Sequence, residues 1–131
     1  MTAYNKKFEC SRIEEMAAAF PDLAGHLLNI KEHIIDLLTP FQKGYCYYPA
    51  MGGGFSIKAV LPALFPDDPE LDYHNLAGSV HNGGEAMDIY PRIATMPPAE
   101  QQQARESLLR YCELDTYAMV KVLEKLRELA K

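Results

Sequence analysis

Apolar residues along this chain recur mostly at three- and four-residue spacing, a pattern that predicts helices. Ile13, Met16, Ala17 and Phe20 mark one stripe, on a helix from about Glu9 to Phe20 that Pro21-Asp22 ends or restarts. A second stripe, Leu23, Leu27, Leu28, Ile30, Ile34, Leu37 and Leu38, predicts a helix closed by Thr39-Pro40, because the residue before a proline is pushed out of the α region. Over 41–55 the helical period fails. Phe41, Tyr45, Tyr47, Tyr48 and Phe55 crowd around Pro49 and Gly52-Gly53-Gly54. Here Tyr45 to Tyr48 read as a short strand or extended edge, followed by a glycine turn. Ser56 suits the N-cap of a helix through Ile57-Lys58-Ala59-Val60-Leu61, which Pro62 is expected to kink or end. Phe65-Pro66-Asp67-Asp68-Pro69 is a stop signal, and His74 to Gly84 reads as a loop. After Gly83-Gly84 a helix carries Ala86, Met87, Ile89, Tyr90 and Ile93 and ends near Met96-Pro97-Pro98. The longest predicted helix runs from about Ala99 to Ala130 without proline or glycine, and its stripe is Leu108, Cys112, Met119, Leu123, Leu126 and Ala130. Pro98 suits its first position. The reading is a mainly α chain, with about five helices and at most one short strand.

Composition agrees. The chain has 15 Leu and 15 Ala against 7 Ile and 4 Val in 131 residues, which favours helix over sheet. That length predicts one domain. The formal charge, 13 − 18 = −5, argues against a simple nucleic-acid coat, which needs a basic face. It leaves room for a site that reaches nucleic acid through metal ions. Cys10, Cys46 and Cys112 lack C-x-x-C spacing and cannot all pair, so they read as buried free thiols in a reducing cytoplasm. The histidines (His26, His33, His74, His81) form no H-E-x-x-H pattern, so a structural zinc site is not expected. No apolar run approaches the roughly 20 residues of a membrane span, and Met1 to Lys7 lacks the apolar stretch of a signal peptide. The expectation is a soluble cytoplasmic protein with no membrane partner.

Two acids fall on apolar stripes. Asp115 lies three residues after Cys112 and four before Met119; Glu9 lies four before Ile13. A buried carboxylate is costly unless it is paired, hydrogen-bonded or bound to metal. Structural explanations stand beside the functional one: Glu9 in a first turn favours the helix dipole, and Asp115 could bond Tyr111, four residues back.

The words around these acids add to this. Tyr4-Asn5-Lys6-Lys7-Phe8-Glu9 matches N-x-x-F-D with Glu in the last place, and Tyr111-Cys112-Glu113-Leu114-Asp115 matches Y-x-x-x-D. They resemble the second and third motifs of the DEDD exonucleases, tyrosine subclass, in the ribonuclease-H-like superfamily. Phe55-Ser56-Ile57-Lys58-Ala59-Val60-Leu61 and Gly83-Gly84-Glu85-Ala86 with Tyr90 resemble helix starts of bacterial domains in that superfamily. Over nearly all of its length the chain resembles the C-terminal half of a bacterial domain-of-unknown-function family of ribonuclease-H-like type.

The resemblance implies that residues 1–131 are a single partial domain, the helical part of a ribonuclease-H-like α/β domain. The first motif, D-x-E on a sheet strand, is expected upstream of Asn5, where this chain has no room for it, so the chain reads as a fragment. Glu9 keeps the carboxylate of its motif with one more methylene. The implied chemistry is phosphodiester hydrolysis of DNA or RNA with two Mg²⁺ or Mn²⁺ ions. Glu9 and Asp115 would be metal ligands, Tyr111 the catalytic residue that orients the attacking water, and Asn5 and Phe8 would shape the substrate site. With the first motif absent, this chain by itself is expected to be inactive and to bind metal weakly. The alternative is a helical protein-interaction module, a degenerate relative without the chemistry. Uncovered apolar faces would favour a homo-oligomer or a complementing N-terminal segment.

Overall fold

A computed structural model of this protein describes residues 1–131. It contains six α-helices and one two-stranded parallel sheet, β1-β2. The chain is therefore mainly α, as its periodicity and composition predict. It divides into two compact units, Met1–Tyr47 with Phe55–Ile57, and Tyr48–Gly54 with Lys58–Lys131. No helix is long and apolar enough to cross a membrane.

The first unit begins with β1 (Thr2–Ala3), α1 (Lys7–Ala19) and, after a 3-10 turn at Pro21–Leu23, α2 (Ala24–Glu32). Then come β2 (Ile35–Asp36) and the short α3 (Thr39–Gln42). The strands pair in parallel with Thr2 opposite Ile35 and Ala3 opposite Asp36. Parallel strands need a long crossover, and the α1–α2 hairpin supplies it.

The second helix departs from the sequence reading, which carries it to Leu38. It ends at Glu32, where His33 and Ile34 donate to Ile30 O and Lys31 O in tightened turns. The β-branched Ile35 then enters β2. Thr39-Pro40 opens a helix instead of closing one, since a proline in the first turn has no N–H to lose. The expected strand at Tyr45–Tyr48 does not form. Tyr45 and Cys46 both donate to Pro40 O, at 2.9 and 3.2 Å, so the chain curls back after α3.

The core of this unit lies in Ala3, Ile34, Leu37, Leu38 and Phe41, on β1, on the residues flanking β2 and on α3. The predicted α1 stripe is only partly inward: Ala17 is buried, but Met16 and Phe20 are 49% and 56% exposed. Leu23 and Leu28 are exposed as well.

The second unit holds most of α4 (Ile57–Leu64), together with α5 (Gly83–Ile89) and α6 (Pro98–Leu129), joined by 3-10 turns at Pro69–Leu71, Tyr73–Asn75 and Tyr90–Thr95. Pro62 sits inside α4, which ends two residues later, so its missing N–H falls near the end of the element. Val60, Leu61, Leu71, Tyr73 and Val80 are buried.

The buried seam of α6 is Ala104, Ser107, Leu114, Ala118 and Val122. It runs beside the stripe that the large apolar residues suggest. Cys112 and Ala130 are exposed, and Leu108, Met119, Leu123 and Leu126 are half-buried. At Ser107 the backbone of another segment approaches the helix closely. Gly78 has φ +108°, and a Cβ on it would lie 2.1 Å from Ser107 Oγ. Ser79 N–H donates to that hydroxyl at 3.3 Å. The three cysteines are free, as expected, but none is buried: Cys10 and Cys46 are half-buried and Cys112 is exposed.

Candidate functional site

The start of α1 is set by a carboxylate from across the first unit. Asn5 has φ +63°, in the left-handed region, which short polar side chains tolerate better than most. The Asn5 N–H donates to Asp36 Oδ1 at 2.9 Å and the Lys6 N–H to Asp36 Oδ2 at 3.2 Å. Leu38 N–H donates to Asp36 Oδ1 at 3.0 Å. One carboxylate thus satisfies three backbone donors and ties the end of β1 to the turn after β2. Lys6 Nζ donates to Ile34 O at 3.3 Å, across the same junction.

Glu9 follows in the first turn of α1. It is half-buried, and its Oε2 is buried with no hydrogen-bond partner. Phe8, one residue earlier, is 58% exposed, with the Arg12 guanidinium 5.5 Å from its ring centroid. Asn5 is exposed and lines a cleft of about 430 Å³ with Tyr4, Leu38, Gln42, Phe55 and Ser56. The Tyr4 hydroxyl donates to Phe55 O at 2.6 Å. Burial first, then the Asp36 charge, raises its pKa above the ordinary tyrosine value.

In the second unit Asp115 is half-buried on α6. Its partner is not Tyr111 but Tyr73, whose hydroxyl donates to Asp115 Oδ1 at 2.8 Å. Tyr73 is 2% exposed. Burial, then the Asp115 charge and hydrogen bond, raises its pKa. Tyr111 is half-buried, with its ring 6.2 Å from that of Tyr73 at 56°. Its hydroxyl is pushed up to about 12, by burial first and by Asp115 next. A Cβ on Gly83 would sit 3.6 Å from the Tyr111 hydroxyl, so the first turn of α5 borders it. The Lys58 ammonium lies 5.6 Å from the Tyr73 ring centroid.

Asn5, Phe8 and Glu9 therefore share the start of α1 in the first unit, and Tyr111 and Asp115 share a face of α6 in the second. No group of three or more His, Cys, Asp or Glu side chains is placed to hold a metal ion. As single ligands, the two acids offer only carboxylate oxygens, the donor type that Mg²⁺ prefers. Two residues escaped the sequence reading. Asp36 had a signal, an acid inside the apolar run Ile34-Ile35-Asp36-Leu37-Leu38. Tyr73 had none, because it lies among short 3-10 turns that carry no stripe.

A family model described as a domain of unknown function (DUF2779) matches residues 1–56. Among curated proteins, the uncharacterized protein UU173 of Ureaplasma parvum serovar 3 is 30% identical over 145 residues, covering 98% of this chain and 21% of that protein. The chain thus spans about a fifth of the length of the curated relative it matches. No solved structure matches. The likeness to an uncharacterised domain family is found, and neither description names an activity.

Proposed function

We propose that this chain supplies part of a metal-dependent phosphodiesterase site of the exonuclease type, acting on DNA or RNA, within a ribonuclease-H-like domain. Glu9 and Asp115 are its carboxylate ligands, Mg²⁺ or Mn²⁺ its ions, and Tyr111 its water-orienting residue. The observation that carries this reading is Glu9 Oε2, buried and without a donor. Such an oxygen is costly in a folded protein unless something compensates it, and a hard cation does so. Magnesium is commonly held by one or two carboxylates, with waters and substrate phosphates completing the shell, so the donor type of each acid suits it. When bound, a pair of such ions activates water and offsets charge on the leaving oxygen.

The protein's own groups have separate tasks. Asp115 has one oxygen tied to Tyr73, which leaves the other for a ligand. Tyr111 stands one turn before Asp115 on the same helix face. Its hydroxyl, pushed up to about 12, is protonated at neutral pH and serves as a hydrogen-bonding group for water, not as a base. Asn5 offers a polar group in the 430 Å³ cleft, and the exposed Phe8 ring offers a stacking face for a base.

A site of this class gathers more carboxylates than these two. The purified 131-residue chain is therefore expected to bind Mn²⁺ weakly and to leave single-stranded DNA and RNA intact. Calorimetric titration with Mn²⁺ tests the reading by comparing the wild type with the Glu9→Gln, Asp115→Asn double variant. Loss of heat in the variant supports it; identical heats overturn it.

A second reading, a helical interaction module that self-associates, is favoured by the exposed Phe8, Met16, Phe20 and Leu23 of the α1–α2 hairpin. Light scattering on the same samples separates the two. A mass that grows with concentration, with heats unchanged by the double variant, supports the module. A monomer without Mn²⁺ heat rejects both.

A further inference from the structure

We propose that the groove between the Tyr90–Thr95 turn and α6 binds a small amphiphilic anion, an apolar chain that ends in a carboxylate. The inference stands apart from the metal reading and concerns a surface that reading does not use.

The groove lies wholly within the second unit and has a volume of about 680 Å³. Sites for small ligands are of roughly 300–1,000 Å³. One wall is Tyr90, Ile93 and Ala94 from the turn, and the other is Arg105, Leu108 and Leu109 from α6. The α6 residues stand at i, i+3 and i+4, which places them on one helix face. Ile93 is buried, whereas Tyr90 and Leu109 are 73% and 70% exposed. Large apolar surface is therefore left open to water on both walls.

Arg105 is the one charged group among the lining residues. It has no carboxylate partner: the ion pairs of the chain engage Arg12, Lys31, His74, His81, Lys121 and Lys125. Its neighbour Glu106 instead accepts from Gln102 Nε2 at 2.8 Å. A guanidinium presents a planar fork of donors that a carboxylate fills with two parallel hydrogen bonds. An apolar wall beside it lowers the local dielectric and strengthens that attraction. The complement of this groove is thus an apolar body with one anionic end. A neutral chain of the same length would gain the apolar contact alone, and a cationic one would meet a like charge.

The charge of the whole protein makes this preference diagnostic. At −5 the chain repels anions and attracts cations at long range. A preference for the anionic amphiphile therefore has to come from a local positive group.

The test is calorimetric titration of the full chain with decanoate, decanol and decyltrimethylammonium, each kept below its aggregation concentration. The proteins compared are the wild type, Arg105→Gln and Arg127→Gln. Arg127 is also exposed and outside the ion pairs, so its variant carries the same change of net charge away from the groove. The wild type is expected to bind decanoate in preference to the other two. Arg105→Gln is expected to weaken decanoate about fivefold, the effect of a partly exposed ion pair, and to leave decanol unchanged. Arg127→Gln is expected to match the wild type. Absence of decanoate binding, equal binding of the three probes, or equal loss in the two variants overturns the proposal. So does light scattering that shows self-association abolished by Leu109→Asp without decanoate uptake, which would assign the groove to a second copy of the chain.

Discussion

Glu9 at the start of α1 and Asp115 in the middle of α6 both interrupt apolar stripes, and their surroundings differ in kind. Asp115 has one oxygen engaged by a buried tyrosine hydroxyl. Glu9 has one oxygen buried without a donor, while the nearby Asn5, Lys6 and Leu38 N–H groups go to Asp36. In the first unit, structural and candidate functional work are thus divided between two acids. Asp36 holds the backbone, and Glu9 is left with an unused acceptor. In the second unit a single acid has an ordered partner and a free oxygen. A polar residue on an inner face acquires a meaning only once its donors are counted.

The largest expected effect falls on Asp36. Asp36→Ala strips the acceptor from three backbone donors. Hydrogen bonds to charged groups contribute roughly 1.5–3 kcal/mol each, less where water can replace them, so urea unfolding should show a loss of about 2–3 kcal/mol. A loss below about 0.5 kcal/mol, the level of an ordinary surface substitution, would break the comparison, since Asp36 would then not be the structural acid.

Alkaline titration sharpens it further. Tyr4, Tyr73 and Tyr111 are all raised above the ordinary value of 10.0, and Tyr111 is pushed up to about 12. A raised tyrosine is favoured neutral in the folded state. Its contribution is therefore fully present below pH 10 and is lost as pH climbs from 10 through about 12. Followed by tyrosinate absorbance, Asp115→Asn should advance ionisation of Tyr73 and Tyr111 and leave Tyr4 alone. Asp36→Asn should advance Tyr4 alone. A uniform shift in either variant would mean that the two acids are not separate local partners.

The smallest effect is at Glu9. Glu9→Gln removes a charge that has an unpaired buried oxygen, so stability at neutral pH should be unchanged or raised by up to about 1 kcal/mol. A clear loss in urea unfolding would show that the carboxylate already has a stabilising role, and that the contrast with Asp36 is false.

The elements were largely legible. The Ile13-to-Phe20 spacing and Pro21 locate α1, and the uninterrupted stretch after Pro98 locates α6. Which face of each is buried was less so. Met16 and Phe20 belong to a regular stripe, yet they are exposed. The seam of α6 lies on Ala104, Ser107 and Ala118, which no count of large apolar residues selects. Of the site, Glu9 and Asp115 stood out because an acid on an apolar stripe is costly. Tyr73 did not, since a tyrosine in a turn carries no such mark.

The sequence by itself determined that the chain is helical, where its longest helices lie, and which two acids break the apolar pattern. These are local properties, set by residue spacing, by proline and glycine, and by propensity. Only the tertiary structure decided that Ile35-Asp36 pairs with β1, that Asp36 fastens the start of α1, and that the Tyr73 hydroxyl bonds Asp115. Each depends on groups 30 to 42 positions apart. Periodicity gives the angle of a side chain around its own helix but not the neighbour that meets it. That neighbour is chosen by which backbone donors, and which small residues, the folded chain brings within reach.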